Sequence, residues 1–253
     1  MGVGARERGA IVGERACRRH HRAFAGGLYH VRMTESAFPD ESKTLLLDGP
    51  AGALEVAVDL PEPADARPLV AVVCHPLPTE GGTMHNKVVT MVARALRELG
   101  ATTVRFNFRG TGASEGDFDQ GQGEREDLRT VVEWVRAARP GHALWLAGFS
   151  FGSYVSLSSA VELEADAVIS IAPPVSGRGW DFSAIDLPEV PWLVVQGDQD
   201  EIVDPQAVFD WVEKLERQPQ LVRMPETSHF FHRKLIDLRG AIQHEVKGWL
   251  PQA

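Results

Sequence analysis

Gly148-Phe149-Ser150-Phe151-Gly152 sets a serine between two glycines, each two positions away. Ahead of it, Ala143-Leu144-Trp145-Leu146-Ala147 is an apolar run that follows Pro140-Gly141, the pattern of a buried strand. Behind it, Ser153 to Val161 is made of small and apolar residues that suit a packed helix. A serine at a strand-to-helix turn flanked in this way has the context of a nucleophile elbow. The turn is tight enough to strain the serine backbone, and glycines leave room where side chains would collide. The hydroxyl is then held above the strand end, over the positive end of the next helix. The plainer alternative is an ordinary Gly/Ser turn.

Outwards from this turn, strand-like and helix-like segments alternate. Lys43–Leu47 and Ala53–Val58 read as a hairpin, and Leu69–Cys74 as a strand buried on both faces. Asn86–Leu99 carries an apolar helical face closed by Gly100, and Ala101–Phe106 is the next strand. Glu124–Ala138 is a helix with Leu128, Val131, Val132, Trp134 and Val135 inward, stopped by Pro140. After the serine come a strand at Ala167–Ala172, a loop of nineteen residues from Pro173 to Pro191, and a strand at Trp192–Gln196. A helix over Asp204–Leu215, a strand at Leu221–Met224 and a closing helix over Lys234–Leu250 complete the chain. That helix is expected to turn Leu235, Ile236, Leu238, Ile242, Val246 and Leu250 inward. The alternation implies α/β architecture: a doubly wound, mainly parallel sheet with helices on both faces.

The whole chain of 253 residues fits a single domain of this kind, residues 33–253. Residues 1–32 differ: they hold seven arginines against two glutamates and show no amphipathic period. They are expected to form a disordered extension, with Met33 as the natural start. The net charge of −9 argues against nucleic acid or an anionic membrane as partner. No apolar run reaches the roughly 20 residues of a membrane span. Two cysteines, Cys17 and Cys74, make no disulfide framework, and a cytoplasmic location is expected. The glycine-rich stretch Phe108–Gly116 lacks the Gly-Lys-Ser/Thr ending of a P-loop, so a tight loop braced by Arg109 is expected there.

In open α/β sheets the site lies at the carboxyl ends of the strands. Those ends carry His75, Asn107, Ser150, Asp198 or Asp200, and His229. A serine hydroxyl is a weak nucleophile until a neutral imidazole within reach takes its proton, and an acid then fixes the imidazole tautomer. Asp200 is the chosen acid; Asp198 suits the turn itself, and Asp204 suits the cap of the next helix. His229 is the chosen base, because His232 falls closer to the final helix. Acyl transfer also needs donors for the developing oxyanion. The N–H of Phe151 is one; between Pro76 and Pro78, which have no N–H, that of Leu77 is the other. HExxH is absent, and no cysteine pair accompanies the histidines, so no metal site is expected.

Several motifs in order then carry a resemblance: His75-Pro76-Leu77-Pro78 with Gly81-Gly82-Thr83-Met84, Phe106-Asn107-Phe108-Arg109-Gly110, Ala147–Gly152, Gln196-Gly197-Asp198-Gln199-Asp200, and His229-Phe230-Phe231-His232. From about Leu69 to Leu238 the chain resembles the α/β-hydrolase superfamily, most nearly the small bacterial serine hydrolases near its dienelactone-hydrolase-like branch. The resemblance implies the α/β-hydrolase fold, a Ser150–Asp200–His229 triad and no cofactor. The group often has a second histidine at Leu77, a glycine at Arg233, and an aspartate or asparagine at His85. The Pro173–Pro191 loop is too short for the large cap domain that usually enters there, so an open site is expected, with Trp180, Phe182, Phe149 and Phe230 as candidate apolar walls. The leading expectation is a serine hydrolase of carboxylic esters working through an acyl-enzyme on a small-molecule ester, with a homodimer left open. The alternatives are a thioesterase, peptidase or acyltransferase using the same three residues, and a non-catalytic binding protein on the same fold.

Overall fold

The computed structural model describes Met1 and residues 37–252. Residues 37–252 belong to one compact unit, Arg32–Ala253. Apart from Met1, the expected extension at residues 1–32 lies outside the described residues. Within this unit the strands are β1 Lys43–Gly49, β2 Gly52–Asp59, β3 Leu69–Cys74, β4 Thr102–Phe106, β5 Ala143–Phe149, β6 Ala167–Ile171, β7 Trp192–Gly197 and β8 Gln220–Met224. The helices are α1 Lys87–Arg97, α2 Gln122–Ala138, α3 Phe151–Ser159, α4 Pro205–Lys214 and α5 Leu235–Val246.

The strands form one eight-stranded sheet in the order β1-β2-β4-β3-β5-β6-β7-β8. β1 and β2 form the expected hairpin, and β2 runs antiparallel to β4; every other pairing is parallel. Parallel strands need crossovers, and those crossovers put helices on both faces. The side-chain alternation along each strand shows this directly. Val70, Val72, Cys74, Leu144, Leu146, Val168 and Val194 pack on one face with residues of α2, α3 and α4. Leu69, Ala71, Val73, Trp145, Ala147, Ile169, Leu193 and Val195 pack on the other with residues of α1 and α5. Residues buried on both faces explain why β3, β5, β6 and β7 read as unbroken apolar runs.

Local chemistry sets the element ends. Asn86 caps α1 through its side chain, which accepts the Val88 N–H at 2.8 Å, and Asp204 caps α4 by accepting the Gln206 N–H at 3.0 Å. α5 is shorter than expected. It ends at Val246, and Lys247–Trp249 tightens into a 3₁₀ turn. Ile236, expected inside, is 70% exposed; Leu238, Ile242 and Val246 are buried as expected, and Leu235 and Leu250 pack partly buried against the same core. Phe182–Ala184 forms a 3₁₀ turn within the Pro173–Pro191 loop, and no cap domain occurs among the described residues.

The expected brace by Arg109 is an ion pair under the loop after β4. Asp127 of α2 is fully buried, and its carboxylate accepts from the Arg109 backbone at 2.9 Å and from its guanidinium at 2.8 Å. Without Asp127 the guanidinium would keep only the exposed Glu126 carboxylate, 3.2 Å away, and breaking a buried pair is strongly destabilising. Asp127→Ala is therefore expected to lower stability by about 3 kcal/mol, read as a shift in the urea midpoint at an unchanged slope.

Candidate active site

The chain winds from β3 out to β4 and then returns past β3 to β5. The crevice of such a sheet opens where successive crossovers part. There Cys74 of β3 lies in register with Gly148 of β5, so the loops after both strands start side by side. Ser150 follows β5 with φ 52° and ψ −121°, a positive φ that few residues other than glycine adopt. A Cβ on Gly148 would sit 2.1 Å from the Gly152 carbonyl oxygen, and one on Gly152 would sit 2.4 Å from that of Cys74. Close backbone approach is thus the reason for both glycines. The Ser150 side chain does not cap α3, so the hydroxyl is left free of the role a plain Gly/Ser turn would give it.

Asp200 and His229 come from the other half of the sheet. Gly197 at the end of β7 is in register with Met224 at the end of β8, so the two loops leave together. The His229 ring donates or accepts through Nδ1 to Asp200 Oδ2 at 2.7 Å; because the carboxylate can only accept, Nδ1 carries the proton. Asp200 Oδ1 accepts the N–H groups of Ile202 and Val203 at 2.9 and 2.8 Å. Burial pushes the Asp200 carboxyl up; the bond and charge of His229 and the two amides outweigh it and hold the group below its ordinary value. Asp200 is therefore an anion at neutral pH, able to orient an imidazole and stabilise its protonated form.

Strands lie about 4.8 Å apart, so β8 is roughly 14 Å from β5. The loop after β8 crosses the ends of β7 and β6 to place the His229 ring against Phe149, 4.9 Å between centroids. Glu226 takes a positive φ on the way, and Phe231 and Arg233 do so just after His229. Arg233 stands at φ 60°, a conformation that glycine adopts without strain. The His229 backbone N–H donates to Glu201 Oε2 at 3.1 Å.

Ser150 and His229 then line one cavity of about 60 Å³, with Leu77, Glu80, Ile202 and Phe230 among its walls. No hydrogen bond joins Ser150 Oγ to another described residue, nor His229 Nε2, leaving both free towards the cavity. The cavity is narrower than the expected open site. Of the four aromatic wall candidates only Phe230 lines it. Phe149 and Phe182 are buried core, and Trp180 packs on Phe151 at 4.9 Å while its Nε1 donates to Gln120 O. Glu80 on the cavity wall is held from outside by Arg178 of the long β6–β7 loop, which donates to both carboxylate oxygens at 2.6 Å. A larger groove of about 570 Å³ lies by Trp192 and Gln220, at the starts of β7 and β8, the end of the sheet away from Ser150.

The Phe151 and Leu77 N–H groups donate to no described residue. The orientation of the latter is set by His75, which is fully buried. Its Nε2 lies 3.0 Å from the Phe108 N–H and must accept, so Nδ1 holds the proton and donates to Pro76 O at 2.6 Å. In a trans peptide the C=O and N–H point opposite ways; fixing the Pro76 carbonyl fixes the Leu77 N–H. Asn107 serves the same loop, accepting the Met84 N–H at 2.8 Å and donating to Glu55 at 2.7 Å. Asp198 is exposed and does not meet His229, and His232 is exposed too. His142 is half-buried, and its Nδ1 has no partner among the described residues. Among the described residues no three His, Cys, Asp or Glu side chains form a group able to hold a metal. Sequence reasoning gave no part to Glu80, Arg178 or Gln196; only Gln196 stood in a motif that could have drawn attention to it.

The family described as an alpha/beta hydrolase domain matches residues 79–243. The chain belongs to that family. The hydrolase is similar to a serine hydrolase without lid from Xanthomonas campestris: 68% identity, TM-score 0.83, 86% of this chain and 99% of that one covered. It is also similar to a serine hydrolase homologue from Coxiella burnetii, with 44% identity, TM-score 0.78 and coverage of 82% and 99%. An uncharacterised protein of Rickettsia prowazekii is 34% identical over 181 residues, 68% of this chain and 76% of that protein. The hydrolase has the α/β-hydrolase fold of a serine hydrolase family whose similar structure from Xanthomonas is without a lid.

The neutral state of His75 gives a pH signature. Burial lowers it from 6.5 to about 4, against the opposing bond to Pro76. Between those values the unfolded chain takes a proton that the folded ring refuses, so stability falls with falling pH. From pH 7 to 4.5 this ring should account for about 2 kcal/mol of lost stability. Urea titrations at the two pH values are expected to show that much less pH dependence in His75→Gln.

Proposed function

We propose that this hydrolase cleaves carboxylic esters with short acyl groups through an acyl-enzyme on Ser150. The observation that carries the reading is the Asp200–His229 pair, bonded at 2.7 Å, on the same small cavity as a serine held at positive φ. His229 Nε2 takes the Ser150 proton as Oγ attacks the ester carbonyl carbon. The carbonyl oxygen becomes an oxyanion, met by the N–H groups of Phe151 and Leu77. The imidazolium, steadied by Asp200, gives its proton to the departing alkoxide, and the acyl group stays on Oγ. Water then repeats the sequence with His229 as base, releasing the acid and restoring the serine.

The size of the cavity supports a short acyl group. A water needs about 10–15 Å³ of such space, so about 60 Å³ accepts only a few heavy atoms. Phe230, Leu77 and Ile202 give that space an apolar lining, which favours neutral substrates. The Glu80–Arg178 pair sets the limit on one side. The partner of this site is thus a small-molecule ester. Cys74 is a buried free thiol, which suits a reducing cytoplasm as the place of action.

Ser150→Ala should leave the fold intact and cut turnover of a short aryl ester by a factor on the order of 10⁴ or more. A fluorophosphonate probe, mapped by peptide mass, should label Ser150 in the wild-type protein. Near wild-type esterase activity in Ser150→Ala would overturn the assignment. Arg178→Ala should change stability by no more than about 1 kcal/mol, because the pair is exposed. The same change is expected to raise kcat/KM for longer-chain esters relative to acetyl esters.

A further inference from the structure

Asp200 has a fourth hydrogen-bond donor, from a residue that no role yet covers. Gln196, in β7, is fully buried. Its Nε2 donates to Asp200 Oδ2 at 3.0 Å and to the Gly197 carbonyl at 3.0 Å. Oδ2 is also the oxygen bonded to His229 Nδ1. Together with Ile202 and Val203 on Oδ1, the carboxylate accepts four hydrogen bonds, two on each oxygen, which fills its lone pairs.

The orientation of the Gln196 amide follows from these partners. Both are acceptors, so the NH₂ group must face them; turning the amide over would set Oε1 against a carboxylate and a carbonyl. The cost is visible: Oε1 is buried and has no partner among the described residues. An orphaned buried acceptor lowers stability. A leucine or methionine would fill the same interior space without that cost. The local rule of polar satisfaction is thus broken in contact with the acid that holds the histidine.

We propose that Gln196 is a positioning residue of the hydrolytic site, holding the Asp200 carboxylate through Oδ2 and tempering its basicity towards His229. The proposal rests on the ester-hydrolase reading above. A carboxylate oxygen that already accepts from an amide has less charge to share with Nδ1–H. The Nδ1 proton therefore stays on the ring, and the carboxylate plane cannot swing away when the imidazole becomes charged. The titratable groups set against this pair are Asp200 and His229 themselves, and Glu201, which accepts the His229 backbone N–H. Only Gln196 touches the shared oxygen from the strand side.

The test follows ester turnover against pH in wild type, Gln196→Met and Gln196→Glu. Methionine keeps the volume and removes both donors. It should lower kcat on the order of tenfold with KM little changed, and move the acid limb of kcat/KM upward by about half a pH unit or more. Glutamate puts a second carboxylate against Asp200, so the two must share a proton; kcat should fall further. Variants matching wild type, or a loss uniform across pH with no shift of the limb, would overturn the proposal. A measurement on the wild-type protein covers the case in which the variants do not fold. The Gln196 side-chain amide resonances should move with the same pH midpoint as kcat/KM; resonances flat across that range would also overturn it. Wild-type protein with neither turnover nor Ser150 label would instead count against the ester-hydrolase reading itself.

Discussion

The backbone of Ser150 stands where an L-residue is unfavourable, at φ 52°, and the rest of the site depends on its being kept there. A residue in such a region costs of order 1–3 kcal/mol and persists only when its surroundings over-determine it. Here they do. The Ser150 N–H donates to Ile171 O of β6 at 2.8 Å, and its carbonyl accepts from both the N–H and the Oγ of Ser153, at 2.8 and 2.6 Å. Strand β6 holds the turn from one side, α3 from the other, and Cys74 at the end of β3 presses close to Gly152. A turn pinned on three sides cannot relax, so the hydroxyl has a fixed origin from which the other groups can be placed.

Those groups are held by a second set of constraints. His75 and Asn107 fix the β3 loop with its free amide; the ends of β7 and β8 deliver the carboxylate and the imidazole. The two sets meet across the cavity, at the contact of Phe149 with His229, and where the His75 carbonyl lies against Gly152 and Phe108 against Phe151. The division follows from the sheet. Parallel strands bring all their carboxyl ends to one edge, and each loop there can be braced by the strand that carries it.

Much of this was legible in the sequence because it is local. A buried parallel strand announces itself as an apolar run, a cap as an Asn or Asp ahead of a helix, and the elbow as glycines around a serine. Asp200 and His229 could be selected by position, since strand ends converge. What stayed hidden depends on distance rather than neighbourhood. Arg178 meets Glu80 across ninety-eight positions of sequence, and nothing local marks either residue. Gln196 sits in an apolar strand as one polar side chain, and only its place beside Asp200 gives it meaning. Ile236 fitted the periodic pattern and still faces solvent, because α5 is covered on one narrow side only. Likewise the β6–β7 loop is tied down through Trp180 on Phe151 and Arg178 on Glu80, contacts that loop length could not reveal.

The order of the strands has a consequence for how the protein comes into being. The serine turn and its braces on β3, β5 and β6 are complete once the ribosome has passed α3 and β6. The acid arrives after β7, and the imidazole only after β8, which lies at the edge of the sheet. A growing chain therefore carries its strained serine for a long stretch of synthesis before the imidazole joins it. The cavity closes with the last strand, when nearly the whole sheet is in place, so a fragment that stops before β8 holds Ser150 in its turn but lacks His229 altogether.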